Sequence, residues 1–364
     1  GTLPADLYER TVARSNLRLA DGAAVDRLVL RVRPRDPAVG LPDLAAHNQS
    51  VAARGGAALV EVRRPAPPAG TVPRRPAAAA ELALYLAPNA LVESGHPEIV
   101  ALAREIAGAE PDAYRAALAL TRWTAEHMTM DAGIVMAPAS ELVRERKGTC
   151  MGYATLLAAL ARAAGIPSRI VMGYVYYGGI WGGHAWTEMW LDERWLPFDA
   201  AVYAPGLASA ARLAAGAGSF ADGGGELLGA IGRLFGRVEV EIVEAEGAGR
   251  VLRVPEGRAA YTVEGSVYTN PGLGLRIDAG PYAIERADST WPSMLVVAFR
   301  RGATTIELHQ RPRHPERAAA EPPDGGAVVA EPEGATLWVW TAAGPDAEGA
   351  LRDFLQRVEK RPAW

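Results

Sequence analysis

The sequence predicts an α+β protein, in which helices pack on an antiparallel sheet between an N-terminal β-rich unit and a C-terminal small α/β domain. Three observations predict it. From about Pro97, apolar residues recur at three- and four-residue spacing through PEIVALAREIAG and PDAYRAALALTRWTAEHMTM, each with a proline near its start. From Ser168 the pattern turns to strand type in SRIVMGYVYY, HAWTEMWL and RWLPFDA, separated by glycine-rich or Asp-Glu-Arg turns. Helices followed by such strands in one stretch of chain favour segregated layers over alternating βαβ units.

Taken in order, TVARSNLRL, AVDRLVLRVRP and AALVEVRR alternate in the strand sense and predict a small β unit. RRPAPPAGTVPRRPAAAA follows, and its prolines remove backbone donors and favour an extended linker or strap. After the first two helices, ASELVRERKG predicts a short third helix ending at Gly148. MGYATLLAALARAAG predicts a fourth, ending at Gly165 before Ile166-Pro167. LASAARLAAGAGSFADGGGELLGAIGRLFG carries helix signals broken by a glycine cluster and predicts a partly mobile loop. RVEVEIVEAEGAGRVLRVPE predicts a hairpin closing on residues 247–249. Beyond Val267, GLGLRIDAG, MLVVAFRR, TTIELHQR and ATLWVWTA predict a sheet, and EGALRDFLQRVEKR a final helix, with PRHPERAAAEPPDGGAVVAEPEG as a proline-rich loop. Element order alone makes this last part similar to the small α/β sandwich modules appended to bacterial envelope proteins. The expected division is 1–75, a β-rich unit with its proline-rich linker; 76–260, a core with the hairpin after it; and 261–364, an α/β sandwich.

Composition narrows the function classes. The 364 residues exceed what one ordinary core holds, so more than one domain is expected. A formal charge of -4 gives no global basic field, and no local basic patch stands in for one, so nucleic-acid binding is not expected. No apolar run reaches the roughly 18 residues a membrane helix requires. The chain starts Gly-Thr, which leads us to expect that a leader has been trimmed. Acidic ion loops, a dinucleotide fingerprint, a phosphate loop and the G-x-S-x-G elbow are all missing from the sequence, so neither metal nor cofactor is expected. Lys147 and Lys360 are the only lysines, and Gln49, Gln310 and Gln356 the only glutamines. GC-rich codon usage accounts for the lysines better than for the glutamines.

Cys150 is the only cysteine, which excludes internal disulfides and multi-cysteine metal sites. It falls where one helix stops at Gly148 and the next begins. There the positive end of a helix dipole and free backbone N–H groups favour a thiolate. His184 follows the glycine-rich bend YGGIWGGHAW at a strand start, and Asp199 ends WLPFDA on the next strand. If those strands pair, Asp199 can orient the imidazole while its other nitrogen faces Cys150, which is the nucleophile, base and orienter pattern of covalent acyl chemistry. Each residue alone also has an unreactive reading: a buried small thiol, a strand histidine, a turn aspartate.

GTCMGYATLLAALARAAGIPSRIVMGYVY, GGHAWTEMWL and RWLPFDA together resemble the transglutaminase-like superfamily, whose cysteine, histidine and aspartate motifs occur in this order with comparable gaps. The resemblance runs from about Pro97 to Tyr203, and less specifically through LFGRVEVEIVEAEG. It implies a papain/transglutaminase-like core, with Cys150 as nucleophile, His184 as general base and acid, and Asp199 as the histidine's partner. It further implies acyl transfer through a thioester on protein or peptide amides, by cross-linking, deamidation or peptide hydrolysis. A periplasmic or secreted setting is expected on the same ground. Thr149 stands where many bacterial relatives carry Asp, Met151-Gly152-Tyr153 where Thr-Glu-His is frequent, and Ala200-Ala201-Val202 where Pro-Thr or Ala-Thr is common. Tyr153, Trp181, Trp186 and Trp123 are the expected pocket walls, and the backbone N–H of Cys150 the expected oxyanion donor. The alternative is a non-catalytic binding or scaffold module of the same shape.

Overall fold

The computed structural model describes residues 12–73, 80–131, 133, 136–202, 205–287, 294–312, 326–334 and 336–360. It is a mixed helix and sheet protein. The chain divides into two compact units, one built from Val32–Val175 and Gly182–Glu239, the other from Ala13–Arg31, Tyr176–Trp181 and the chain from Val240 onward. The ends of the proline-rich strap and loop, residues 74–79 and 313–325, lie outside the described residues.

Strand β1 (Val25–Pro34) starts in the second unit and ends in the first. In the first unit β2 (Gln49–Arg54) and β3 (Ala57–Arg63) form an antiparallel hairpin, closed by Gly55 and Gly56 at φ 56° and 78°. Those positive angles need no Cβ, which is why the turn is Gly-Gly. β2 is not signalled by its sequence, because QSVAAR has one β-branched residue. What fixes its start is Gln49, whose buried amide donates to the Leu44 carbonyl at 2.6 Å and the Ala214 carbonyl at 3.1 Å.

Four helices follow: α1 (Pro97–Ala107), α2 (Ala113–His127), α3 (Ala139–Glu145) and α4 (Cys150–Ala163). Pro97 opens α1 as predicted, and the Asp112 carboxylate caps α2 by accepting from the Tyr114 and Arg115 N–H groups at 2.9 and 3.3 Å. Helix α3 stops before Gly148, at Arg146, whose φ of 55° ends the hydrogen-bond ladder. α1, α2 and α3 all pack on α4, whose residues Met151 to Arg162 are all buried. A helix apolar on every side is the centre of a core and has no solvent face to pattern. Leu156, Leu157 and Leu160 each contribute roughly 1.5–3 kcal/mol by burial there.

The sheet beside them contains β4 (Ser168–Tyr177), β5 (Ile180–Leu191), β6 (Arg194–Asp199), β7 (Gly206–Leu207) and β8 (Arg212–Gly218), in the order β7-β6-β5-β4-β8. β5 and β6 pair antiparallel from Thr187↔Phe198 to Leu191↔Arg194, around Asp192 and Glu193 at φ 53° and 57°. Met189, Leu191, Leu196 and Phe198 join the helices in one core, and Thr187 Oγ1 donates to the Ala154 carbonyl at 3.0 Å. The helix signals in LASAARLAAGAGSF are overturned: Arg212–Gly218 is β8, antiparallel to β4 with a bulge between Ala214 and Gly216. Alanine-rich runs favour helices locally, but pairing to a sheet edge overrides that preference. Helix α5 (Gly225–Gly232) follows the glycine cluster.

The expected hairpin is formed by β9 (Val238–Gly247), which starts in the first unit and runs into the second, and β10 (Arg250–Arg253). β11 (Thr262–Glu264), β12 (Val267–Asn270) and β13 (Leu275–Asp278) begin a small sheet. A five-stranded sheet is made by β14 (Ala283–Ala287), β15 (Leu295–Arg301), β16 (Thr304–Pro312), β17 (Ala327–Glu333) and β18 (Thr336–Ala343), in the order β14-β15-β16-β18-β17. β17 corrects the expectation of loop throughout the proline-rich run. Helix α6 (Ala347–Leu355) ends earlier than predicted, because β19 (Val358–Lys360) pairs with β13 and completes the small sheet. Phe354 of α6 packs on Tyr282, Phe299 and Trp340 in this unit's core. Gln310 is buried and donates to the Leu19 and Ala20 carbonyls at 2.7 and 3.2 Å, whereas Gln356 at the end of α6 is exposed.

Candidate active site

Helix α4 begins with Cys150, after Thr149 in extended backbone at φ -74° and ψ -179°. The Thr149 side chain makes no capping bond to that helix. The approach is fixed by a two-residue parallel pairing, Thr129↔Lys147 and Met130↔Gly148, and by close packing of α3. A Cβ on Gly148 or Gly152 would lie 3.2 or 3.0 Å from Leu142 Cδ2, so only glycine at both positions lets α3 come this near the start of α4.

The structure brings Cys150, His184 and Asp199 together. His184 sits near the start of β5 and Asp199 at the end of β6, and His184 Nε2 donates to Asp199 Oδ2 at 2.7 Å. That leaves the other ring nitrogen for the Cys150 side, where the thiol feels both His184 and the Ala185 N–H. Both His184 and Asp199 are buried, and the thiol is half-buried. The Trp186 ring lies 6.0 Å from the imidazole and nearly parallel to it, closing one side from water.

Burial pushes the Cys150 thiol up, but the hydrogen bond and charge of His184 together with the Ala185 N–H outweigh it, and the net shift is downward. Burial likewise opposes the imidazolium, but the charge and hydrogen bond of Asp199, followed by those of Cys150, hold His184 up at about 9. Asp199 is pushed up by burial and pulled further down by His184 and Arg212, ending well below the usual carboxylate range. Cysteine as thiolate and histidine as imidazolium is the resting charge state these surroundings favour.

Arg212 was not among the residues the sequence singles out. At the start of β8, and 3% exposed, it sends Nε and Nη2 to Asp199 Oδ2 at 3.0 and 2.6 Å. Its Nη1 donates to the Ser209 carbonyl at 3.3 Å and Oγ at 3.2 Å. The second oxygen of Asp199 accepts the Ala201 and Val202 N–H groups at 2.9 and 3.2 Å.

Of the expected pocket walls, Trp186 alone lies against the site. Tyr153 is a core residue whose hydroxyl donates to the Met128 carbonyl at 2.7 Å, and Trp181 is fully buried in the second unit against Tyr176. Neither offers a substrate any surface. Both lie in strongly apolar runs, and a core aromatic and a pocket aromatic look alike there. Trp123 is half-buried, stacked on His127 and covered by the Arg146 guanidinium 4.3 Å from its ring centre.

Among the described residues no group of three or more His, Cys, Asp and Glu side chains is placed to hold a metal ion, and no helix is long and apolar enough to cross a membrane.

Comparison with known proteins bears on the same residues. Residues 100–200 match the sequence model described as Transglutaminase-like superfamily. A protein-glutamine gamma-glutamyltransferase of Pseudomonas aeruginosa is 37% identical over 127 residues, covering 29% of this chain and 18% of that one. The chain thus spans less than a fifth of that relative's length. Among solved structures, the periplasmic domain of TgpA from Pseudomonas aeruginosa bound to ethylmercury is 22% identical, covering 55% of this chain and 86% of that chain at a TM-score of 0.31. A candidate cysteine protease from Cytophaga hutchinsonii is 16% identical, covering 64% of this chain and 85% of that chain at a TM-score of 0.40. Residues 100–200, with Cys150, His184 and Asp199 among them, belong to the transglutaminase-like superfamily.

Proposed function

We propose that this protein is a cysteine acyltransferase acting on protein or peptide amides, with Cys150 as nucleophile, His184 as acid and base, and Asp199 as the group that orients and charges the imidazole. The observation that carries this reading is Cys150 at the first position of α4, its thiol pKa lowered by a His184 imidazole that Asp199 holds at 2.7 Å. The thiolate attacks the carbonyl carbon of an amide, and a carbon–sulfur bond forms. Charge building on the carbonyl oxygen is taken up by donors such as the Cys150 N–H. The carbon–nitrogen bond then breaks, the imidazolium gives its proton to the departing ammonia or amine, and a thioester remains. Neutral His184 next takes a proton from the second nucleophile, water or an amine, which attacks the thioester and releases the thiolate.

Amine as the second nucleophile, and a glutamine side chain as the donor, make the reaction cross-linking. The aligned likeness to a protein-glutamine gamma-glutamyltransferase supports that choice, as does the scarcity of glutamine and lysine in the chain. Water in the same place gives deamidation or peptide hydrolysis. An envelope or secreted setting rests on the family resemblance, and cell fractionation tests it.

The decisive experiment incubates the protein with a glutamine-rich protein and a fluorescent primary amine, and follows both incorporated label and released ammonia. Cross-linking requires label and ammonia together, both abolished in Cys150→Ala. Ammonia without label means deamidation, new amino termini mean proteolysis, and no difference from Cys150→Ala leaves the binding-module reading.

A further inference from the structure

The Asp199 carboxylate is the point on which the site converges, and it is more heavily engaged than a histidine orienter needs to be. One oxygen accepts His184 Nε2 and two nitrogens of Arg212, and the other accepts two backbone N–H groups. The guanidinium is itself anchored by Ser209 through Nη1, so its position does not depend on Asp199 alone. Histidine, aspartate and arginine are all nearly closed to solvent.

Charge bookkeeping gives this arrangement a purpose. A thiolate, an imidazolium and a carboxylate carry a net negative charge, which burial penalises heavily. The cheapest relief would be a proton on the thiol, which would leave the nucleophile un-ionised. The positive charge of the guanidinium removes the excess. His184 and Arg212 are the charged groups that act on Asp199, and His184 and Asp199 those that act on Cys150.

We propose that Arg212 is a positioning residue of this site, fixing the Asp199 carboxylate and supplying the positive charge that lets the thiolate and imidazolium coexist. This rests on the reading of Cys150 as an ionised nucleophile, and it adds a fourth member that acts through Asp199 without touching substrate.

The test uses the full chain and needs no acyl substrate, because Cys150 is the only thiol. Iodoacetamide alkylation is followed across pH for wild type, Arg212→Gln and Arg212→Lys. Removing a nearby positive charge favours every protonated form, so in Arg212→Gln the rise of alkylation with pH moves up by roughly one unit, and the rate below it falls about tenfold. Arg212→Lys keeps the charge and leaves the rise within a few tenths of a unit of wild type.

A merely structural arginine would lower the yield of folded protein without moving the rise. A folded Arg212→Gln protein that alkylates with the wild-type pH dependence therefore overturns the proposal. If that variant does not fold, a displaced rise in Arg212→Lys overturns it equally. Wild type alkylating like an ordinary exposed thiol sinks the nucleophile reading and this proposal with it. A low, arginine-dependent rise without any acyl transfer sinks the acyltransferase reading and supports the role of Arg212.

Discussion

His184 carries its proton up to about 9, while the thiol beside it ionises below its ordinary range, so between those limits both groups are in the state that attack on an amide requires. Acyl transfer should therefore follow a bell: rates rise as Cys150 loses its proton and fall as the imidazolium is lost near 9. Initial rates over a pH series check this, and an alkaline limb near the ordinary histidine value would contradict the Asp199 contact. The same groups set a stability window. The raised His184 contributes fully below its unfolded value of 6.5, and that contribution is lost as pH climbs through about 9. The depressed Asp199 contributes above its unfolded value of 3.8, and that contribution is lost as pH falls toward its folded value. Tyr153 is the control at this scale. Tyr153→Phe removes one hydrogen bond to Met128 and should cost about 1 kcal/mol in urea unfolding, with turnover of different substrates unchanged. A change in substrate preference would return Tyr153 to the pocket. Cys150, His184 and Asp199 were legible because each sits in a motif with a fixed local role, at a helix start, a strand start and a strand end. Arg212 was not, because its partner lies across a sheet and nothing in ARLAAG separates a buried guanidinium from a surface one.

Among the elements, α4 has a close tolerance at its first turn. It presents Cys150 at its first position, and α3 is let in against that first turn by the bare Cα atoms of Gly148 and Gly152. Gly152→Val puts methyl groups where Leu142 already stands, and should cost roughly 1–3 kcal/mol by overpacking. Because the strain falls within the first turn, thiol alkylation at neutral pH should slow as well. Thermal unfolding and alkylation measured on one preparation check both, and an unchanged melting temperature would show that α3 moves aside at no cost. Helix positions were legible from period and punctuation, with Pro97, Asp112 and the apolar run of α4 each acting locally. Strand β8 was not, because its alanines and glycines carry no strand preference, and it exists through pairing with β4. β17 failed because its AVVAEPE carries a proline and closes a proline-rich run, and β19 because VEK is too short to read apart from the helix before it.

At the scale of the whole molecule, each unit has its own apolar core, one around α4 and one around Phe354, and the stretches that build them alternate along the chain. Local patterns reveal which residues are apolar and with what period, but not which of two cores a strand will join. Each unit contains a buried glutamine that behaves as backbone would. Gln49 and Gln310 donate their amide hydrogens to main-chain carbonyls at buried positions, and Gln356 alone stands in water. For a catalyst of glutamine transfer this has a practical consequence, which is that the chain carries one natural labelling handle. Prolonged incubation with a fluorescent amine and no other protein should mark Gln356 and leave Gln49 and Gln310 bare, as read by peptide mapping, and label on Gln49 in folded protein would contradict it. A cargo bearing a primary amine would then be installed at the end of α6, in the unit that does not contain Cys150, by the protein's own chemistry acting between molecules.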